Sequence, residues 1–358
     1  MKTDPVAPLA GVTCCQHVTE HHCPSAGGGI GVLQPGDVLD DRFVITEVIS
    51  RSGMAMIFKA QDLHDGNADV AIKVPHKEFE NDPDFLARFK GEEEIGLKLN
   101  HPYVVRFIPV TTPRSRPYIV TEYLRGCTLG HLMEALLPLP EVDALKIASL
   151  LCEALQYLHE NGITHRDLKP HNVMIGCNGT LRLLDFGLAT AKAAGRVPSA
   201  GGEPVMGTPD YMAPEQVKGK RGDSRTDIYC LGAMLYEMLT GSVPFEADNP
   251  LCAMNARVLG DPEPLRNLNP AISPSAEEIV LHAMERDPAK RHRSARALRE
   301  ELDDPVAVPV SGRCERGEKT EASKTGFARY RTVILAFISP AVALAAVAFS
   351  VWLRTGAH

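Results

Sequence analysis

Residues 165–172 read His165-Arg166-Asp167-Leu168-Lys169-Pro170-His171-Asn172, and thirteen positions after Asn172 comes Asp185, followed by Phe186 and Gly187. A carboxylate, an ammonium, an amide and a second carboxylate at these spacings suit phosphoryl transfer. A hydroxyl nucleophile needs a base that orients it, and the moving phosphoryl group needs its charge neutralised by metal ions and a cation. Asp167 can accept the hydroxyl proton, and Lys169 can neutralise the phosphate. Asn172 and Asp185 can hold Mg²⁺ (or Mn²⁺) through oxygen ligands. Each of these side chains alone would read as a solvated surface group. Their order along the chain is what argues for chemistry.

The elements around them fall into two regions. From Phe43 to Tyr123 the apolar segments are short and β-rich: Phe43-Val44-Ile45, Ile57 to Ala60, Val70 to Val74, and Tyr118-Ile119-Val120. One helical stretch, about residues 83–99, interrupts them, which is the composition of a small twisted sheet carrying one helix. From about residue 128 helices dominate. Between 141 and 160, Ala144, Ile147, Ala148, Leu151, Leu155 and Leu158 form a stripe at helical spacing. Asn161-Gly162 supplies a left-handed stop. The helix is core, and its consequence is positional: the cluster at 165–172 begins directly after it.

Further segments fall in a recognisable order. Val70-Ala71-Ile72-Lys73 comes first, then Arg88-Phe89-Lys90-Gly91-Glu92 at the start of the helical stretch. Gly207-Thr208-Pro209-Asp210-Tyr211-Met212-Ala213-Pro214-Glu215 and Asp227-Ile228-Tyr229-Cys230-Leu231-Gly232 follow. With the clusters at 165–172 and 185–187, these segments resemble the eukaryotic-type serine/threonine protein kinases, and their bacterial branch in particular. The resemblance covers roughly residues 37–302. It implies an α+β, bilobal protein kinase fold, with a small β-rich lobe and a larger helical one. It also implies ATP as phosphate donor, Lys73 on the α/β-phosphates with Glu92 as its ion-pair partner, and proteins with Ser/Thr acceptors as substrates.

Carried onto this chain, the resemblance assigns Ile57, Ala71 and Met174 to the walls around adenine and Thr121 to the gatekeeper position. Glu122 to Leu124 become the hinge whose backbone bonds the purine edge. Glu215 is expected to pair with Arg291, and Thr208 to bond Asp167 and Lys169. Arg166 becomes the receiver of an activation-segment phosphate, for which Ser199 is the candidate acceptor. The phosphate-covering loop departs from the family pattern. It reads Ile49-Ser50-Arg51-Ser52-Gly53-Met54-Ala55, and only Gly53 falls where glycine is usual. Cβ atoms at Ser50, Ser52 and Ala55 restrict the conformations a glycine would allow. Looser ATP binding is expected, with Ser50→Gly and Ser52→Gly lowering the KM for ATP. This erosion is also the one support for an alternative, a kinase-like pseudoenzyme acting as a membrane scaffold.

The remaining sequence bounds the setting. A net charge of −7 gives no basic footprint for nucleic acid. Six of the nine cysteines stand singly, at Cys127, Cys152, Cys177, Cys230, Cys252 and Cys314. That distribution predicts reduced thiols in a cytosolic compartment. Residues 1–34 read as a flexible tail before a kinase domain at 35–302. Within that tail Cys14, Cys15, His17, His21, His22 and Cys23 match no closed zinc module, so they are expected to be incidental. A polar linker is expected at 303–328. Residues 333–353 then run without a charge, long enough as a helix to span a bilayer. Basic residues Arg313, Arg316, Lys319, Lys324, Arg329 and Arg331 precede the run and only Arg354 follows it. The positive-inside rule therefore predicts a single-pass inner-membrane protein with a cytoplasmic kinase domain and a tail, 354–358, outside. A homodimer that phosphorylates itself in trans is the expected assembly.

Overall fold

The computed structural model describes residues 33–186, 209–247 and 249–313. Ser199, Thr208, the Cys/His cluster at 14–23 and the apolar run 333–353 lie outside the described residues.

The first lobe is a five-stranded antiparallel sheet in sequence order: β1 (Val38–Leu39), β2 (Phe43–Arg51), β3 (Ala55–Asp62), β4 (Ala68–Pro75) and β5 (Ile119–Glu122). Side chains alternate faces along a strand, so Val70, Ile72 and Val74 of β4 share one face. They pack there with Phe43, Ile45, Phe58, Tyr118 and Val120. Ala71 and Lys73 therefore belong to the opposite face, which carries the site.

One helix, α1 (Pro83–Gly96), connects β4 to β5. Asp82 caps it by accepting hydrogen bonds from the backbone N–H groups of Asp84 and Phe85, and Pro83 fills the first turn, where no N–H partner is needed. Its buried residues are Phe85, Phe89, Glu92 and Gly96, at helical spacing on one stripe. Glu92 is the exception in chemistry. A carboxylate on an apolar stripe requires a cation opposite it. The helix stops at Gly96, three residues before the expected end. A Cβ there would meet the Phe107 ring at 2.5 Å, so only glycine permits this approach.

The second lobe is helical: α2 (Leu129–Leu136), α3 (Glu141–Glu160), α4 (Pro214–Val217), α5 (Ser224–Thr240), α6 (Pro250–Leu259), α7 (Leu265–Leu268), α8 (Pro274–Ala283) and α9 (Ala295–Asp303). A small sheet, β6 (Gly126–Thr128), β7 (Val173–Gly176) and β8 (Leu181–Leu183), lies on its cleft side. The stripe on α3 is buried throughout, and Gly162 takes φ +72° just past its end. Helix α5 is buried without a break from Thr226 to Tyr236. A helix apolar on nearly all sides belongs at the centre of a lobe, and the sole charged residue in that buried stretch, Asp227, needs partners there.

Two expectations change. Cys127 and Cys177 are disulfide-bonded, not reduced, whereas Cys152, Cys230 and Cys252 are free. Fifty positions separate the pair in sequence, but β6 and β7 are neighbours, with Cys127 opposite Ile175. Sequence spacing hides this adjacency. The chain beyond α9 is also anchored as far as Arg313. Ser311 and Arg313 both bond the buried carboxylate of Glu278 on α8. Among the described residues no helix is long and apolar enough to cross a membrane.

Candidate active site

Lys73 extends from β4 to Glu92 on α1, its Nζ lying 2.8 and 3.0 Å from the two carboxylate oxygens. The same ammonium donates to Asp185 Oδ1 at 3.3 Å. Burial alone would lower the Lys73 pKa, but Asp185 and Glu92 overcompensate and hold it raised. Glu92 is pushed up to about 7, first by burial and then by the Asp185 carboxylate, against the pull of Lys73. Two acids share one cation. The cluster carries an excess negative charge next to the cleft.

The loop at 165–172 is held from beneath by α5. The buried carboxylate of Asp227 accepts the backbone N–H of His165 at 2.9 Å and of Arg166 at 2.8 Å. His159, at the end of α3, reaches the same carboxylate at 2.8 Å. Gln216 donates to the Arg166 carbonyl at 2.9 Å. These bonds fix Arg166 at φ +66°, a strained conformation for a residue with a side chain. Asp185 is strained in the same way, at φ +57°. Such strain persists only where the surroundings over-determine it.

Above this frame, Lys169 Nζ donates to Asp167 Oδ2 at 2.9 Å, and Asn172 Nδ2 donates to the Asp167 carbonyl at 2.8 Å. Asn172 is further tied to the segment bearing Asp185, since its carbonyl accepts the Leu184 N–H at 2.8 Å. Phe186 is fully buried, 5.9 Å from the rings of both Phe107 and His165. His165 in turn contacts the Leu184 carbonyl at 3.1 Å. The structure thus joins Asp167, Lys169 and Asn172 in one hydrogen-bonded group, and Lys73, Glu92 and Asp185 in another.

Fixing the Asn172 nitrogen on Asp167 turns its carbonyl oxygen away from that residue. An amide oxygen, a carboxylate and a surplus negative charge are the hard donor set that Mg²⁺ prefers, so the residues present fit such an ion.

Glu215 and Arg291 form a buried bidentate pair, both bonds 2.8 Å. Burial would raise the Glu215 pKa, yet the Arg291 hydrogen bonds hold it lowered. Thr226 donates to the same carboxylate at 2.8 Å. Arg166 bonds the Arg221 carbonyl through Nε at 3.2 Å, and burial together with the Arg221 charge lowers its pKa.

Ala71 pairs with Thr121 across β4 and β5, and Met174 with Thr128 across β7 and β6. Ile57, on β3, lies opposite Lys73. The Glu122 side chain accepts from the Arg106 N–H at 3.0 Å and from Arg182 at 3.3 Å, and Leu124 follows it in the half-buried link to β6. At the covering loop, Ile49, Ser50 and Gly53 are exposed. None of residues 49–55 adopts positive φ, so the conformations denied by the lost glycines are not the ones this loop uses. Ser52 shapes it instead. Its Oγ accepts the Ala55 N–H at 3.1 Å, and its carbonyl meets His76 at 2.7 Å.

Sequence reasoning assigned no role to Asp227, His159 or Gln216 as single residues, and read Ser52 only as a missing glycine. A lone acid inside an apolar helix was the available signal for Asp227.

The protein kinase domain family matches residues 43–302. The chain belongs to the protein kinase family. Serine/threonine-protein kinase PknB of Mycobacterium leprae is 36% identical over 268 residues, spanning 74% of this chain and 43% of that protein. PknB of Mycobacterium tuberculosis is 35% identical over 301 residues, 83% of this chain and 46% of that protein. A probable serine/threonine-protein kinase of Streptomyces coelicolor is 36% identical over 269 residues, 74% and 40% respectively. The chain spans less than half the length of these relatives.

Proposed function

We propose that the chain transfers the γ-phosphate of ATP to Ser/Thr hydroxyls of protein substrates. The observation that carries this reading is the joint placement of Lys73 between Glu92 and Asp185 and of Asp167 beside Lys169 and Asn172. The relatives' kinase names support it, as does the lysine two residues after Asp167.

In this reading Lys73 neutralises the α/β-phosphates, and Glu92 keeps its ammonium aimed into the cleft. Asn172 and Asp185 would hold Mg²⁺, which would supply neutralisation of the phosphate charge. The bonds from Lys169 and Asn172 both fall on Asp167 Oδ2, which leaves Oδ1 to orient the acceptor hydroxyl and take its proton. Lys169 then lies beside the transferring phosphoryl group and offsets its charge. Positioning and electrostatics supply most of the rate, as the loose transition state of phosphoryl transfer requires.

The kinase domain is tethered to the inner membrane by residues 333–353, on the support of that uncharged run and its basic leading flank. It faces the cytoplasm and phosphorylates Ser199 in trans within a homodimer. Transfer of ³²P from γ-labelled ATP and Mg²⁺ to a generic basic protein tests the activity, with Lys73→Met as control. Label on serine or threonine in wild type alone supports it; no label, or equal label in the control, overturns it.

A further inference from the structure

Among the helices of the large lobe, three groups converge that phosphoryl transfer does not use. His282 sits in the last turn of α8, His292 directly follows Arg291, and Glu301 lies on α9. Glu301 Oε2 is 2.8 Å from His292 Nε2 and 3.6 Å from His282 Nδ1. The two imidazole centroids are 3.8 Å apart, tilted by 36°. One ligand atom from each residue lies within 4.8 Å of the other two.

We propose that His282, His292 and Glu301 form a zinc-class divalent metal site that staples α8 to α9. Tetrahedral ligands at ordinary Zn–N and Zn–O lengths lie about 3.4 Å from one another. The two distances to Glu301 Oε2 bracket that value, and with all three ligand atoms within 4.8 Å of one another the side chains must draw together to complete the geometry. Two imidazoles and one carboxylate are a donor set zinc takes with a fourth position open to water. Hard ions such as Mg²⁺ prefer oxygen and are excluded from this set.

The surroundings support a built site. His292 is 3% exposed, and its second nitrogen, Nδ1, is buried without a hydrogen-bond partner among the described residues. Nε2 is the nitrogen that faces Glu301, at 2.8 Å. Arg313, whose charge reaches His292, would oppose a bound cation. Its guanidinium is paired with Glu278 and with Glu285 at 3.4 Å, which offsets that opposition. The three ligands come from three segments separated in sequence, so an ion there links α8, the chain after Arg291 and α9.

The test uses the full chain, stripped with a chelator and titrated with Zn²⁺ or Co²⁺ alone. Bound metal and thermal midpoint are measured for wild type, His282→Ala and Glu301→Gln. Neither substituted residue belongs to the catalytic machinery, so phosphotransfer with MgATP serves as the folding control. The site predicts one equivalent fewer in each variant and loss of the metal-induced rise in midpoint. The part of the Co²⁺ spectrum that each variant loses should carry no sulfur-to-metal charge transfer, which separates this site from the cysteines at 14, 15 and 23. Equal stoichiometry and an equal rise in all three proteins would overturn the proposal, and would leave the cluster as a hydrogen-bonded contact between helices.

Discussion

The loop that bears Asp167 and the loop that covers the phosphates are built on opposite plans. The first is strained at Arg166, and a buried carboxylate grips it through two backbone N–H groups. The second is exposed, unstrained and shaped by one serine hydroxyl. Preorganised groups must be over-determined, because a displacement of about 1 Å can cost roughly 100-fold in rate. A cover need only follow the nucleotide. The contrast fits a chain that carries the expected chemical positions with only one of the expected loop glycines: the departure from the family pattern falls on the part that constrains least.

Changes to the frame beneath the catalytic loop should cost most. Arg291→Ala leaves the Glu215 carboxylate buried without its cation, and breaking such a pair costs about 3–5 kcal/mol. Urea unfolding should register the loss; an unchanged midpoint would separate this pair from the frame. Asp227→Asn places an amide where two N–H donors need an acceptor. It should lower kcat about 100-fold, with ATP affinity nearly unchanged, as steady-state kinetics and nucleotide titration can check.

The third prediction concerns pH. Glu92 ionises with a pKa raised to about 7 in the free protein, so its pair with Lys73 is complete above that pH and lost as pH falls through it. Since kcat/KM reports the free enzyme, the ratio of wild type to Glu92→Gln should fall about tenfold per unit below that point. A flat ratio would refute the assignment. The smallest effect belongs to the covering loop. Ser52→Gly removes its turn hydrogen bonds, worth about 0.5–1.5 kcal/mol net, and should raise the KM for ATP about two- to tenfold. This reverses the expectation drawn from the glycine pattern alone. Ser50→Gly, with neither such bonds to lose nor a positive φ to relieve, should leave the KM within about twofold of wild type, so the two variants together divide the glycine argument from the turn argument.

The sequence made most of the framework legible. The stripe from Ala144 to Leu158 gave α3, and Asn161-Gly162 its end, because both signals are local and periodic. The order of Lys73, Glu92 and the two acid clusters was legible in a different way, through its resemblance to a family pattern, since Lys73 and Asp185 stand 112 positions apart. What it concealed depends on adjacency between distant segments. Cys127 and Cys177 meet only because β6 pairs with β7. Asp227 reads as one more residue of a buried helix until the loop above it is seen. His282, His292 and Glu301 converge from separate elements, and Ser52 acts through a turn that no residue count reveals.

Single-turnover transfer of the γ-phosphate, comparing wild type with Asp167→Asn at matched ATP occupancy, tests the central claim most directly. Asp167 as orienting base predicts a rate lower by about 10²–10⁴-fold with nucleotide affinity within about twofold of wild type. Equal rates in the two proteins would contradict it.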